Sequence, residues 1–489
     1  MARKSLLVLG SLLTLSLSLV ACAAENGEED ASSDEAPVIS RDAARGRSAI
    51  HFASPTAGAP EELCVLPKHL PGADYKKDDD KSETELCSYS FFGARPREVN
   101  APFKEVAICP KLSSTNPGTD VQDLLPGKTR EQTEAEICAK EDRPTKLLAK
   151  YKQSITCSYT PSILGYYHLS RALGGVGDVK PAVVRTMDLA EHKKITAEAL
   201  QILRAQAAGD YPKASWLSFQ SAEANPSATS KKDALYTDDL QQIYGGLQEN
   251  ARGEAKYSEI NRRGAEPNIM GPFTRTAPYA KLVDGRPIAQ IAGRTLAESA
   301  QTVTNIKDLS EMLLIDYLMS QQDRFGNIHE IDYYYFTKAD GSLDKVKKSK
   351  VDDGETPMPA GGVLVKKVIL KDNDCGGPQK TNHVKNAGTL EQIRHMNAQT
   401  YKNLRWMAQS FGQGSDTVKF FMAEALFGQK DVDMLRANLN QASADLYAQC
   451  KAGKLLLDAD LGDHLKGIGH VAASCEASGP PVAAAPPQP

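Results

Sequence analysis

Along residues 308–336 the spacing of apolar positions changes period. Leu313, Leu314, Tyr317 and Leu318 recur at helical intervals and share one face, so the pattern predicts a helix packed into a core. Asp308 followed by Glu311 reads as its N-terminal cap. The run IDYLMSQQDRFGNIHEIDYYYF then turns strand-like, and the polar stretch Asp323-Arg324-Phe325-Gly326-Asn327 joins the two patterns. A second strand pattern, GVLVKKVIL, ends in Asp372-Asn373-Asp374-Cys375-Gly376-Gly377. Acidic and amide side chains therefore sit at the ends of buried elements, where a scaffold can hold them still.

The same reading extends in both directions. Lys146 to Thr156 predicts a strand, Pro161 to Leu173 a helix with Pro in its first turn and Gly174 past its end, and Val179 to Thr186 another strand. HKKITAEALQILRAQ predicts an amphipathic helix, TDDLQQIYGGLQEN a shorter one, and SAEANPSATSKKD a surface loop. Three or four more helices are expected between Leu390 and about Leu465. Residues 50–135 hold only short strand-like pieces, and the charged run Asp74 to Lys81 reads as a solvated loop. Gly174-Gly175-Val176-Gly177 follows a helix and lacks the Gly-Lys-Ser/Thr ending of a phosphate loop, so it reads as a turn.

Composition narrows the class. The 489 residues, 41 % hydrophobic and 25 % charged, suit a globular protein of more than one domain. A net charge of −4 argues against a nucleic-acid partner. Arg3 and Lys4, the apolar stretch Leu6 to Val20, and Leu19-Val20-Ala21-Cys22 form a signal peptide whose ending resembles a bacterial lipobox. Cys22 is then the lipidated residue. Ala23 after it favours the outer membrane, facing periplasm or cell surface. Residues 23–49 are acidic and small, and are expected to be a disordered tether. Eight further cysteines in an oxidising compartment suggest disulfides, whose pairing the sequence leaves open. The expected organisation is a Cys-containing module at 50–142, further segments at 143–190 and 191–470, and a Pro/Ala-rich disordered tail at 471–489.

The central stretch has the parts of a phosphoryl-transfer site: a Lys for phosphates, a carboxylate for the acceptor hydroxyl, and Asn and Asp for metal ions. Lys150, with Lys152 as competitor, Asp323, Asn327, and Asp372 or Asp374 supply them in chain order. DRFGNIH, a strand pair and then DNDCGG resembles the catalytic and metal-binding segments of the atypical kinases, namely phosphatidylinositol kinases, HipA-type kinases and secretory-pathway kinases. YYHLSRALGGVGDVKPAVVRT is similar to the helix–turn–strand of the secretory-pathway kinase small lobe. The resemblance spans about Arg143 to Leu465. It implies an α+β, two-lobed kinase-like domain, with a small lobe at 143–190 and a mostly helical large lobe at 191–470. It also implies ATP or another nucleotide with Mg²⁺ or Mn²⁺, and a protein or small-molecule acceptor of unknown identity. By it Asp323 is the base, Asn327 a metal ligand, Lys150 or Lys152 the phosphate contact, and Asp372, ahead of Asp374, the metal carboxylate.

The pattern departs from those families at three points. Asn327 follows Asp323 by four residues instead of five, PSILGYYHLSRAL offers no Glu to pair the Lys, and no glycine-rich loop precedes Lys150. These departures support an alternative, an inactive pseudokinase-like binding or scaffold lipoprotein.

Overall fold

A computed structural model describes residues 48–206 and 208–482. The signal peptide, Cys22, nearly all of the acidic tether and the last seven residues lie outside that range. The described chain is mixed α/β.

Its larger sheet draws on β1 (Ala49–Phe52), β2 (Glu62–Val65), β5 (Ala107–Pro110), β6 (Thr119–Gln122), β7 (Leu147–Lys152), β8 (Ala182–Asp188) and β9 (Gln242–Glu249). Between β2 and β5, the short β3 (Tyr89–Ser90) and β4 (Lys104–Glu105) pair in parallel. The seven strands run in the order β1-β2-β8-β9-β7-β6-β5, so strands from 50–142 flank the β7–β9 centre on both sides of one sheet. A second sheet holds β10 (Glu254–Lys256), β11 (His329–Thr337), β12 (Leu343–Lys347) and β13 (Val363–Ile369), with β11 pairing all three others.

Both faces of the large sheet are covered, as alternation along β8 shows. Val183 joins Tyr151, Leu247, Trp216 and Phe219 in a core under the helices Leu189–Ala205 and Asp210–Ala224. Val184, one residue on, faces the other core, which runs through Ile163 and the central helix Leu296–Met319 to Leu435. The helix Thr160–Ala172 lies between sheet and central helix and is buried all round, so its polar side chains need partners: Tyr166 donates to Asp316 Oδ1 at 2.7 Å and Arg171 binds Asp79.

Four sequence expectations change. The central helix begins at Leu296, where Thr295 and Glu298 form a reciprocal capping box, and not at Asp308. Asp308 lies mid-helix, accepting a hydrogen bond from Val368 N at 2.8 Å and facing Lys367 at 3.5 Å. TDDLQQIYGGLQEN contains the central strand β9, not a helix. The reason is tertiary: a Cβ on Gly245 would stand 2.2 Å from the Lys152 carbonyl oxygen, so the glycine pair admits a close strand neighbour. The charged run at 74–81 opens the helix Lys77–Leu86, whose Asp79 and Glu83 are buried against partners. The start of the Pro/Ala-rich tail is ordered, since Ala472–Glu476 forms a 3₁₀ turn and Cys475 is bonded to Cys450.

The eight cysteines form four pairs, Cys64–Cys87, Cys109–Cys138, Cys157–Cys375 and Cys450–Cys475. Two staple the large sheet region. The third joins the segment after β7 to the loop after β13.

Candidate functional site

The site forms where the end of β7 meets the loops that follow the central helix and β13. On a strand, residues two apart share a face, so Lys150 and Lys152 project together. Lys152 pairs with Gly246 across the ladder, and Lys150 with Gln248. The Lys152 ammonium is buried, 3.2 Å from Asp372 Oδ1 and 3.0 Å from Asp374 Oδ2. Of the two lysine candidates, Lys152 makes the carboxylate contacts. Lys150 lines the adjoining cavity and has no ion pair among the described residues.

The two carboxylates differ in setting. Asp372 adopts a left-handed backbone with φ of 51°, a conformation costly for a residue with a Cβ and sustained here by its surroundings. Burial alone would raise its pKa. Lys152, then Lys150, Lys111 and Lys371, outweigh that and hold it well below the usual carboxylate range. Asp374 is buried, and its Oδ2 faces Lys152 without a hydrogen bond of good geometry. Asn373, between them, points away: its Oδ1 accepts from Arg324 Nη2 at 2.6 Å, and its Nδ2 donates to Leu370 O at 3.1 Å.

Arg324 is the tie between the two loops. Its guanidinium, 1 % exposed, binds Asp316 of the central helix through Nε at 2.9 Å and donates from Nη1 to Lys371 O at 2.7 Å. Ser162 adds a second clasp, donating to Asn373 O at 2.6 Å and accepting from Gly376 N at 3.1 Å. Gln322 N donates to Cys375 O at 3.0 Å. The carboxylate loop is thus fixed by the helices beneath it.

Asp323 stands on the neighbouring wall, half-exposed. Its Oδ1 accepts from Arg263 Nη1 at 2.8 Å, and its Oδ2 accepts from Asn327 Nδ2 at 3.1 Å. Burial raises its pKa, Arg263 opposes the rise, and repulsion from Asp374 and Asp372 adds to it. Asn327 spends its other amide atom elsewhere, because Oδ1 accepts from Lys256 Nζ at 2.8 Å. Sequence reasoning missed Arg263, which lies in an aperiodic polar stretch.

The hairpin between β5 and β6 lies beside the carboxylate loop, with Asn116 Nδ2 3.5 Å from Cys375 Sγ. Lys111 N donates to Gly118 O at 2.9 Å, and the indole of Trp216 donates to Lys111 O at 3.0 Å, which pins the hairpin to the helix Asp210–Ala224. The Lys111 side chain faces Lys152, Asp372, Lys150 and Asp120. Burial, then the charge of Lys152, lowers its pKa to about 8. Only a lysine beside Pro110 marked this residue in the sequence, which is no signal.

Two groups of potential metal-ligating side chains lie elsewhere: Cys450, His470 and Cys475, and His69, Asp80 and Glu83. In the first the thiols are joined as a disulfide. In the second the His69 ring is already engaged by Glu83 at 3.0 Å and Asp80 at 3.7 Å. Asp323, Asp372 and Asp374 are not among the groups whose ligand atoms all fall within 4.8 Å of one another.

The chain matches no protein-family model and no curated protein.

Proposed function

We propose that this protein is a lipid-anchored, exported phosphotransferase of the atypical kinase-like class, with the large sheet region as small lobe and the helical region as large lobe. One observation carries the reading: Lys152 sits between Asp372 and Asp374, with Asp323 on the adjacent wall. These parts are far apart in sequence, and their proximity in the fold is what supports the reading.

In this reading the acceptor hydroxyl is oriented by Asp323, whose raised pKa suits a group that takes up a proton. The hydroxyl oxygen forms the new bond to the terminal phosphorus of ATP or another nucleotide. The bond from that phosphorus to its bridging oxygen breaks, the shortened donor leaves, and the hydroxyl proton passes to Asp323. Lys152 holds the donor phosphates. Asp372 and Asp374 offer hard oxygen donors suited to Mg²⁺ or Mn²⁺, and Asp374 Oδ2 lacks a hydrogen bond. These two carboxylates would hold such an ion, which would supply neutralisation of the charge developing on the phosphates. Asn327 joins that set only when Lys256 releases its Oδ1.

The same contact supports the second reading, an inactive binding or scaffold lipoprotein: Arg263 and Lys256 occupy Asp323 and Asn327. Nucleotide turnover by the purified protein with Mg²⁺ or Mn²⁺ separates the two. Turnover abolished by Asp323→Ala supports the enzyme. Nucleotide binding lost in Asp374→Ala, with no turnover in the wild type, supports the scaffold. A melting temperature moved by neither metal nor nucleotide sinks both.

A further inference from the structure

Arg324 follows Asp323 in the chain but does not serve it. The partner of Asp323 is Arg263, whereas the Arg324 side chain turns inward and spends its donors on three other elements. Nε and Nη2 bind the Asp316 carboxylate, which Tyr166 also holds at 2.7 Å. Nη1 donates to the backbone oxygen of Lys371 and Nη2 to the side chain of Asn373. Those two residues flank Asp372, the one member of the carboxylate loop with a Cβ and a positive φ. A left-handed backbone of that kind persists only where its surroundings hold it. Asp374 is fixed separately, because its backbone oxygen accepts from Tyr159 N at 2.8 Å.

We infer that Arg324 is a positioning residue for the carboxylate pair: by gripping the chain on either side of Asp372 it keeps that residue in its left-handed conformation, and so sets the spacing of Asp372 and Asp374 about Lys152. The inference rests on the reading in which this pair holds Mg²⁺ or Mn²⁺, and it adds the residue that tunes their affinity. The planar guanidinium can reach three acceptors on three elements at once, which a lysine ammonium cannot reproduce. Without the grip Asp372 is free to relax towards an ordinary backbone, and its carboxylate then leaves the position opposite Asp374. Groups that orient metal-binding carboxylates from behind in this way typically govern metal affinity by about 10–100-fold.

Calorimetric titration of the full chain with Mn²⁺ alone, well below the melting temperature, tests this. The wild type should bind Mn²⁺, and Asp374→Ala should abolish that binding. Arg324→Lys keeps a positive charge against Asp316 and should weaken Mn²⁺ by about 10–100-fold. Asn373→Ala leaves the Arg324–Asp316 pair intact, removes one of the two grips, and should weaken Mn²⁺ by roughly tenfold; it decides the matter alone if Arg324→Lys does not fold. Arg171→Lys disturbs a different buried arginine, the partner of Asp79, and should leave Mn²⁺ affinity unchanged. Mn²⁺ affinity within about threefold of wild type in every Arg324 and Asn373 variant that folds, or an equal loss in Arg171→Lys, would overturn the inference and leave the phosphotransferase reading standing. No Mn²⁺ binding by the wild type, or binding indifferent to Asp374→Ala, would overturn it together with the metal assignment on which it rests.

Discussion

Two buried ionic clusters lie against opposite ends of the helix Thr160–Ala172, and they are satisfied to different degrees. At its C-terminal end Arg171 donates from Nε and Nη2 to the two oxygens of Asp79, each at 2.8 Å, from Nη2 to Val179 O at 2.8 Å, and from Nη1 to Ser170 Oγ at 3.1 Å. Lys76 N completes the Asp79 carboxylate at 2.9 Å. Near its N-terminal end, Asp374 Oδ2 has a counter-charge but no hydrogen bond, and Lys111 and Lys150 have no ion pair among the described residues. A closed network fixes structure, whereas a buried carboxylate oxygen held by a counter-charge alone keeps capacity for a further partner. Count of charges does not distinguish the two clusters; saturation does.

The contrast can be broken by exchanging the roles of stability and activity. Asp323→Ala should cut phosphoryl transfer by about 10²–10⁴-fold, the usual contribution of a general base, with the melting temperature nearly unchanged. A variant of normal turnover would remove Asp323 from the chemistry. Arg171→Met should do the reverse. It leaves Asp79 and its neighbours buried without their cation, at a cost of about 3–5 kcal/mol in urea unfolding, with nucleotide affinity preserved in the fraction that folds. Comparable losses of stability from Lys152→Met and Arg171→Met would mean that both clusters are structural.

Acid sharpens the comparison further. Asp79 and Asp372 both have depressed pKa values, Asp79 through Arg171 and Asp372 through Lys152 and its neighbours, in each case against the opposing effect of burial. A carboxyl held below its unfolded value of 3.8 contributes stability that is complete above that value and is lost as pH falls towards the folded one. Urea midpoints should therefore fall below about pH 4. In Lys152→Met the Asp372 share of that loss should shrink, because its folded pKa moves up towards the unfolded one, while the Asp79 share stays as it was. The smallest effect concerns Lys111. Its pKa of about 8 lies below the unfolded value of 10.5, so its charge opposes folding at neutral pH, and stability recovers as pH rises through about 8. Lys111→Met should gain stability at pH 7, and the gain should shrink at higher pH. A loss at pH 7 would show that the ammonium is stabilising.

Much of the site was legible one piece at a time. Asp323, Asp372, Asp374 and both lysines could be picked out because they end periodic segments, and β7, β11, β13 and the helix Thr160–Ala172 follow from local pattern. β9 was not legible, since TDDLQQIYGGLQEN reads locally as a helix and the need for Gly245 shows only once the Lys152 carbonyl is placed against it. The cap at Thr295 was overlooked because Asp308 and Glu311 offer an equally good local signal, and only burial of the whole segment excludes a start there.

By itself the sequence determined the residue types available, the period of each segment and the eight cysteines beyond Cys22, because these are read along the chain. The tertiary structure decided which lysine meets the carboxylates, that Arg324 binds the two loops together, and which cysteines pair. Those outcomes depend on distances between segments that loop closure brings together from over two hundred residues apart, as Lys152 and Asp372 are, and no local pattern encodes such a distance.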